Sequence, residues 1–122
     1  MSGNVKFDKW VNDDNSENYK CRAWVNFNGQ GTVAIRASGN VSSITDGGLG
    51  AYTVNFTTAM PDADYCSPCS AGNISQTYPG GSTGDTSLFE KTTTTLQIQT
   101  GVQSGTSRVN QDYSLVDVAV FR

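Results

Sequence analysis

A chain of 122 residues is one domain's worth, and its 8 Lys and Arg against 11 Asp and Glu leave a net charge of −3; that balance argues against nucleic-acid phosphates or an anionic membrane as partner. The sequence contains no histidine, which removes Ser-His-Asp and Cys-His nucleophile systems, imidazole acid–base chemistry and His-ligated metal sites. Gly, Ser, Thr and Asn supply 50 of the 122 residues, a composition of short strands and turns rather than of helices.

Residues 1–20 are polar and read as an arm or lead-in segment, with Phe7, Trp10 and Val11 as its apolar residues before Tyr19. No signal peptide and no run of ~20 apolar residues is visible, so the expected product is made in a cytoplasm without a Sec signal and is not inserted in a membrane. From Cys21 the pattern becomes period two: Ala23, Val25 and Phe27 alternate with Arg22, Trp24 and Asn26, as in a half-buried strand. Asn28-Gly29-Gln30-Gly31 supplies a turn, and Thr32–Ser38 the return strand. Strands are predicted over Val41–Thr45 and over Ala51–Thr58, where Tyr52, Val54 and Phe56 share a face until Pro61 intervenes. A further strand is expected over Ala63–Ala71, then a long Gly-, Ser- and Thr-rich loop over Gly72–Glu90. Thr92–Thr100 reads as a strand with Leu96 and Ile98 inward, Gly101–Asp112 as a loop, and Tyr113–Phe121 as the closing strand.

That closing strand is apolar on both sides. Val116, Val118 and Val120 lie on one face; Tyr113, Leu115, Ala119 and Phe121 fall on the other by parity, interrupted by Asp117. A strand apolar on both faces needs cover on both, so the second set is the predicted subunit interface. About seven short strands define an all-β fold, an antiparallel β-sandwich of jelly-roll-like type, formed by residues 21–122.

Cys-Arg-Ala-Trp-Val-Asn-Phe-Asn-Gly (21–29), Gly-Thr-Val-Ala-Ile-Arg-Ala-Ser-Gly-Asn-Val-Ser-Ser-Ile-Thr-Asp (31–46) and Tyr-Thr-Val-Asn-Phe-Thr-Thr-Ala-Met-Pro-Asp-Ala-Asp-Tyr (52–65), with the ending Val-Asp-Val-Ala-Val-Phe-Arg (116–122), resemble the β-rich C-terminal module of tailed-bacteriophage tail fibres and related virion proteins. The resemblance covers roughly residues 19–65 plus the last strand; 66–110 matches no part of it. It implies a homotrimeric, non-enzymatic virion component, partnered by other virion proteins, with no catalytic residues to carry over. Such modules usually follow a long shaft, whereas here the match starts about 20 residues after Met1, which keeps a capsid-decoration, head-fibre or connector role open. A monomeric carbohydrate-binding module is the third reading.

Chemistry-bearing motifs are sparse. Cys66-Ser67-Pro68-Cys69 has only Cys21 to add, three ligands where zinc needs four, and it lacks the βαβ setting of a redox pair, so free thiols are expected. Asp13, Asn15 and Glu17 alternate as calcium ligands do, but Asn18 stands where such a loop needs Gly, so no metal or cofactor is expected. Asp62, Asp64, Asp85 and Glu90 show no spacing that singles out a glycosidase pair. Recognition is left. The Gly72–Glu90 loop holds Asn73, Gln76, Tyr78 and Asp85, amides, a ring and a carboxylate suited to hydroxyl groups, which makes them the candidate contacts to a host surface polysaccharide. Phe89 completes the assortment unless it belongs to the core.

Overall fold

The computed structural model describes residues 3–6, 8–11, 13–15, 19–73 and 84–122. Nine strands follow in order: β1 (Cys21–Asn28), β2 (Ala34–Gly39), β3 (Val41–Asp46), β4 (Ala51–Phe56), β5 (Cys69–Gly72), β6 (Asp85–Lys91), β7 (Thr95–Ser104), β8 (Ser107–Asn110) and β9 (Leu115–Phe121). Every pairing is antiparallel. One sheet runs β2-β1-β9-β5; the other runs β3-β4-β7-β6, with β8 on the outer half of β7. The chain is an antiparallel β-sandwich, and its described residues form nine strands rather than about seven.

Period-two alternation places the core. Ala23, Val25 and Phe27 of β1 and Val116, Val118 and Val120 of β9 face inward from the first sheet; Tyr52, Val54 and Phe56 of β4 and Leu96 and Ile98 of β7 meet them from the second. Each large side chain removed from water contributes about 1.5–3 kcal/mol. Two aromatic pairs meet edge to face, Phe27–Tyr52 at 5.1 Å and Phe56–Tyr65 at 5.9 Å between ring centroids. The core tyrosines also anchor backbone: Tyr65 donates to the carbonyls of Thr92 (3.1 Å) and Thr95 (3.0 Å), and Tyr113 to that of Gly101 (3.0 Å).

Both strands missing from the sequence reading lie in segments expected to be loops. β8 returns from β7 through Gly105-Thr106, a two-residue turn with Gly105 at φ +62°, and pairs Val109 with Val102. β6 carries a bulge between Leu88 and Glu90 that breaks its alternation. The strand expected over 63–71 shortens to β5, although Cys66 already pairs with Phe121 in the same register.

Two polar staples join the sheets. At the β2–β3 corner Asn40 sits at φ +56°, the left-handed region that Asn tolerates. Its Nδ2 donates to the carbonyls of Arg22 (3.0 Å) and Thr58 (3.1 Å), and its Oδ1 accepts from Thr58 N–H (2.7 Å). At the opposite end Asp112 Oδ1 accepts from Tyr52 OH (2.7 Å) and Gly50 N–H (2.7 Å), while the same hydroxyl lies 2.9 Å from the Gly29 carbonyl. Burial, then the hydrogen bond to Asp112 and its charge, push the Tyr52 phenol far above its ordinary value, so it stays a donor.

Candidate functional site

The two outer faces of the sandwich differ in chemistry, and the structure places the expected contact residues as follows. Asn73 is committed to structure: its Oδ1 accepts from Ser114 N–H (3.1 Å) and from Gln30 Nε2 (3.2 Å), tying the end of β5 to the start of β9. Asp85 pairs with Arg108 at 2.7 Å across β7. Gln76 and Tyr78 lie outside the described residues. Tyr113 corrects the expected interface set. It precedes β9 and is 0% exposed in the core, so it offers no surface to a second subunit, and burial raises its phenol. Strand parity does not extend to Tyr113 because the chain bends at Ser114 before the regular strand begins.

Leu115, Ala119 and Phe121 do share the outward face of β9, and the register adds neighbours. Ala119 pairs with Trp24, and Phe121 with Cys21 on one side and Cys66 on the other. Trp24 is 45% exposed and Phe121 40%. The indole lies over Gly39, where an added Cβ would fall 2.4 Å from its nitrogen, so the glycine makes room for the ring. A shallow groove of about 430 Å³ runs between Trp24, Ala119, Pro68 and Cys69, with Asn26 and Asp117 at its polar end. A second hollow of about 260 Å³ continues the strip at Phe121, Cys66 and Tyr19, with the charged Asp64 and Arg122 completing its lining. Asn26 Nδ2 donates to Asp117 Oδ1, and Arg36 reaches Asn26 from the bulged β2, so the polar end is already knit together.

The outer face of the second sheet is polar and nearly uncharged. Its cross-strand rows are Ser43–Asn55–Thr95, Thr45–Thr53–Gln97–Glu90 and Ala51–Gln99–Ser87. Asn55 Nδ2 donates to Thr45 Oγ1 (2.9 Å) and Ser43 Oγ (3.1 Å), and Gln97 Nε2 to Glu90 Oε2 (3.1 Å). The β6 bulge sets Phe89 beside Glu90 against Gln97, and the ring is 71% exposed. Phe89 is therefore not core. It walls a depression of about 210 Å³ whose floor is Ala51, Thr53, Gln97 and Gln99.

The cysteines are free. Cys66 opposes outward Phe121 and Cys69 opposes inward Val118, so the C-x-x-C thiols leave the strand on opposite faces. Cys21 and Cys66 flank Phe121 on two neighbouring strands, about 10 Å apart by strand spacing and beyond the ~7 Å reach of a disulfide. Among the described residues no group of three His, Cys, Asp or Glu side chains could hold a metal ion. Several carboxylates are engaged: Asp62 with Arg122 in a two-point ion pair (2.8 and 2.7 Å), Asp85 with Arg108, Asp112 with Tyr52, Asp117 with Asn26. The Arg122 hydrogen bonds and the Asp64 N–H hold Asp62 down at a pKa of about 2. Trp24 was missed as a contact residue because strand alternation marks it only as outward; that Gly39 lies beneath it follows from the register. No protein family, curated protein or solved structure matches the chain.

Proposed function

We propose that the chain is a non-enzymatic structural protein of a tailed-bacteriophage virion, a tail-fibre or fibre-tip module that assembles as a homotrimer and contacts the host cell surface. One observation carries the reading: the contiguous apolar strip of Trp24, Ala119, Phe121, Cys66 and Tyr19 on the outer face of a sandwich whose other face is polar. Such a strip is an expected contact surface, and the resemblance of residues 21–65 and 116–122 to fibre modules supplies further copies of the same chain as its occupant. Adhesion then needs no chemistry. Three weak sites held rigidly together gain avidity through effective concentration.

The second reading, a capsid-decoration or head-fibre protein docked on the virion shell, is favoured by the arm, where Val5, Trp10 and Val11 are exposed. Light scattering on a sizing column, with and without reductant, tests the assembly. The expected mass is that of a trimer in both conditions, shifted to monomer by Phe121→Asp together with Trp24→Asp. A monomeric parent chain would refute the homotrimer, and labelling that decorates the phage head instead of the tail would select the second reading.

A further inference from the structure

We infer that the depression beside Phe89 is a binding site for a neutral saccharide. The inference deepens the adhesion reading, on which it rests for the class of target, and the sequence-level candidates Asn73 and Asp85 are replaced as contacts by Phe89, Thr53, Gln97 and Gln99.

Four observations converge. Phe89 stands off the sheet at a bulge with its ring open to solvent, where burial in the core would be the favourable place for it. The negative face of such a ring attracts the polarised C–H groups of a pyranose. Opposite it the floor is made of amides and a hydroxyl, groups that donate and accept at once and therefore match sugar hydroxyls. Among the described residues, the Gln99 amide and the Thr53 hydroxyl have no side-chain hydrogen-bond partner, and they are only partly exposed. Finally, the charge is wrong for an anion. The nearest lysine on β6, Lys91, donates to the Tyr65 carbonyl at 2.7 Å and lies over the Tyr65 ring, while Glu90 brings a negative charge to the rim. A small hollow walled by one ring, with a few polar groups and, among the described residues, no cation in its lining, fits a neutral sugar unit rather than a phosphate, an acidic sugar or a peptide's C-terminus.

The test is an NMR titration of the full ¹⁵N-labelled chain with methyl glucoside, methyl galactoside and N-acetylglucosamine as neutral probes and glucuronic acid as the acidic one. At least one neutral probe should shift the side-chain amides of Gln97 and Gln99 and the backbone of Phe89, with millimolar affinity. Phe89→Ala should weaken that binding about tenfold, the loss of one aromatic contact of about 1–1.5 kcal/mol, and Gln99→Ala several-fold. Ser67→Ala, at a buried position beside the other sheet, should leave it unchanged. Absence of shifts on this face with every neutral probe, an equal response to glucuronic acid, or binding that survives Phe89→Ala would each overturn the inference. The two proposals fail separately: a monomer that binds the neutral probes sinks only the trimeric virion protein, and a trimer that binds none sinks only the saccharide site.

Discussion

Replacing Asn40 separates two contributions that usually arrive together, side-chain hydrogen bonds and backbone conformation. The residue holds φ +56° at the corner where the chain leaves the first sheet for the second, and its amide joins Arg22 of β1 to Thr58 beyond β4. Asn40→Gly keeps the conformation and deletes three hydrogen bonds. At a net ~1 kcal/mol each, reduced because water can replace the two on the Thr58 side, the cost is about 2 kcal/mol. Asn40→Ala deletes the same bonds and adds the left-handed penalty of ~1–2 kcal/mol. Against this, alanine loses less chain entropy than glycine on folding, by ~0.4–1 kcal/mol. The alanine variant should therefore be the less stable of the two by roughly 0.5–1 kcal/mol. Urea unfolding followed by tryptophan fluorescence reads both as shifts in midpoint at constant slope. If Asn40→Ala proved as stable as Asn40→Gly, the conformational argument would fail; if both stayed within about 0.5 kcal/mol of the parent chain, the staple would contribute nothing.

Three further outcomes are expected. Tyr52→Phe removes the phenol that bonds Asp112 and should cost about 1–2 kcal/mol, with faster amide exchange at Gly50 as the local signature; unchanged exchange there would contradict the staple. Asp62 should titrate near pH 2 in a carboxyl NMR experiment. Because its folded pKa is depressed, its contribution to stability is present above the ordinary carboxylate value near 4 and is lost as pH falls through about 2, and Arg122→Gln should return the titration towards the ordinary range. Ser67 is buried opposite Val120 with its hydroxyl unbonded among the described residues, so Ser67→Ala should be neutral or stabilising by about 1 kcal/mol; a loss of that size in thermal unfolding would mean the hydroxyl has a partner.

The sandwich was legible wherever alternation ran unbroken. Val25 and Phe27, Tyr52 and Val54, Leu96 and Ile98, Val116 and Val118 each share one face of their strand by period two, and all are buried. Legibility ended where a strand departs from that period or from strand-like composition. The bulge at Phe89 hides β6, and β8 offers Arg108 and Val109 among polar residues, although Val102 and Val109 stand symmetrically about Gly105-Thr106 and could have revealed the hairpin. Site residues were harder still. Asn73 and Asp85 have the chemistry of ligand contacts, but their partners Ser114 and Arg108 are 41 and 23 residues away in sequence, and only the folded register shows the groups already spent.

The same rule of alternation gives the two outer faces opposite chemistry. In β9 the outward positions carry Ala119 and Phe121, and β1 adds Trp24 beside them; in β4 and β7 the outward positions carry Thr53, Asn55, Gln97 and Gln99. Water satisfies the second set and not the first, so self-association through the first sheet gains the free energy of apolar burial, whereas covering the second would desolvate amides and hydroxyls without guaranteed partners. In the proposed trimer the first sheet therefore turns inward, and the second, on the opposite side of each sandwich, is left facing the solvent. That is where a ligand rich in hydroxyl groups can replace the water one hydrogen bond at a time, with Phe89 supplying the apolar contact that water does not.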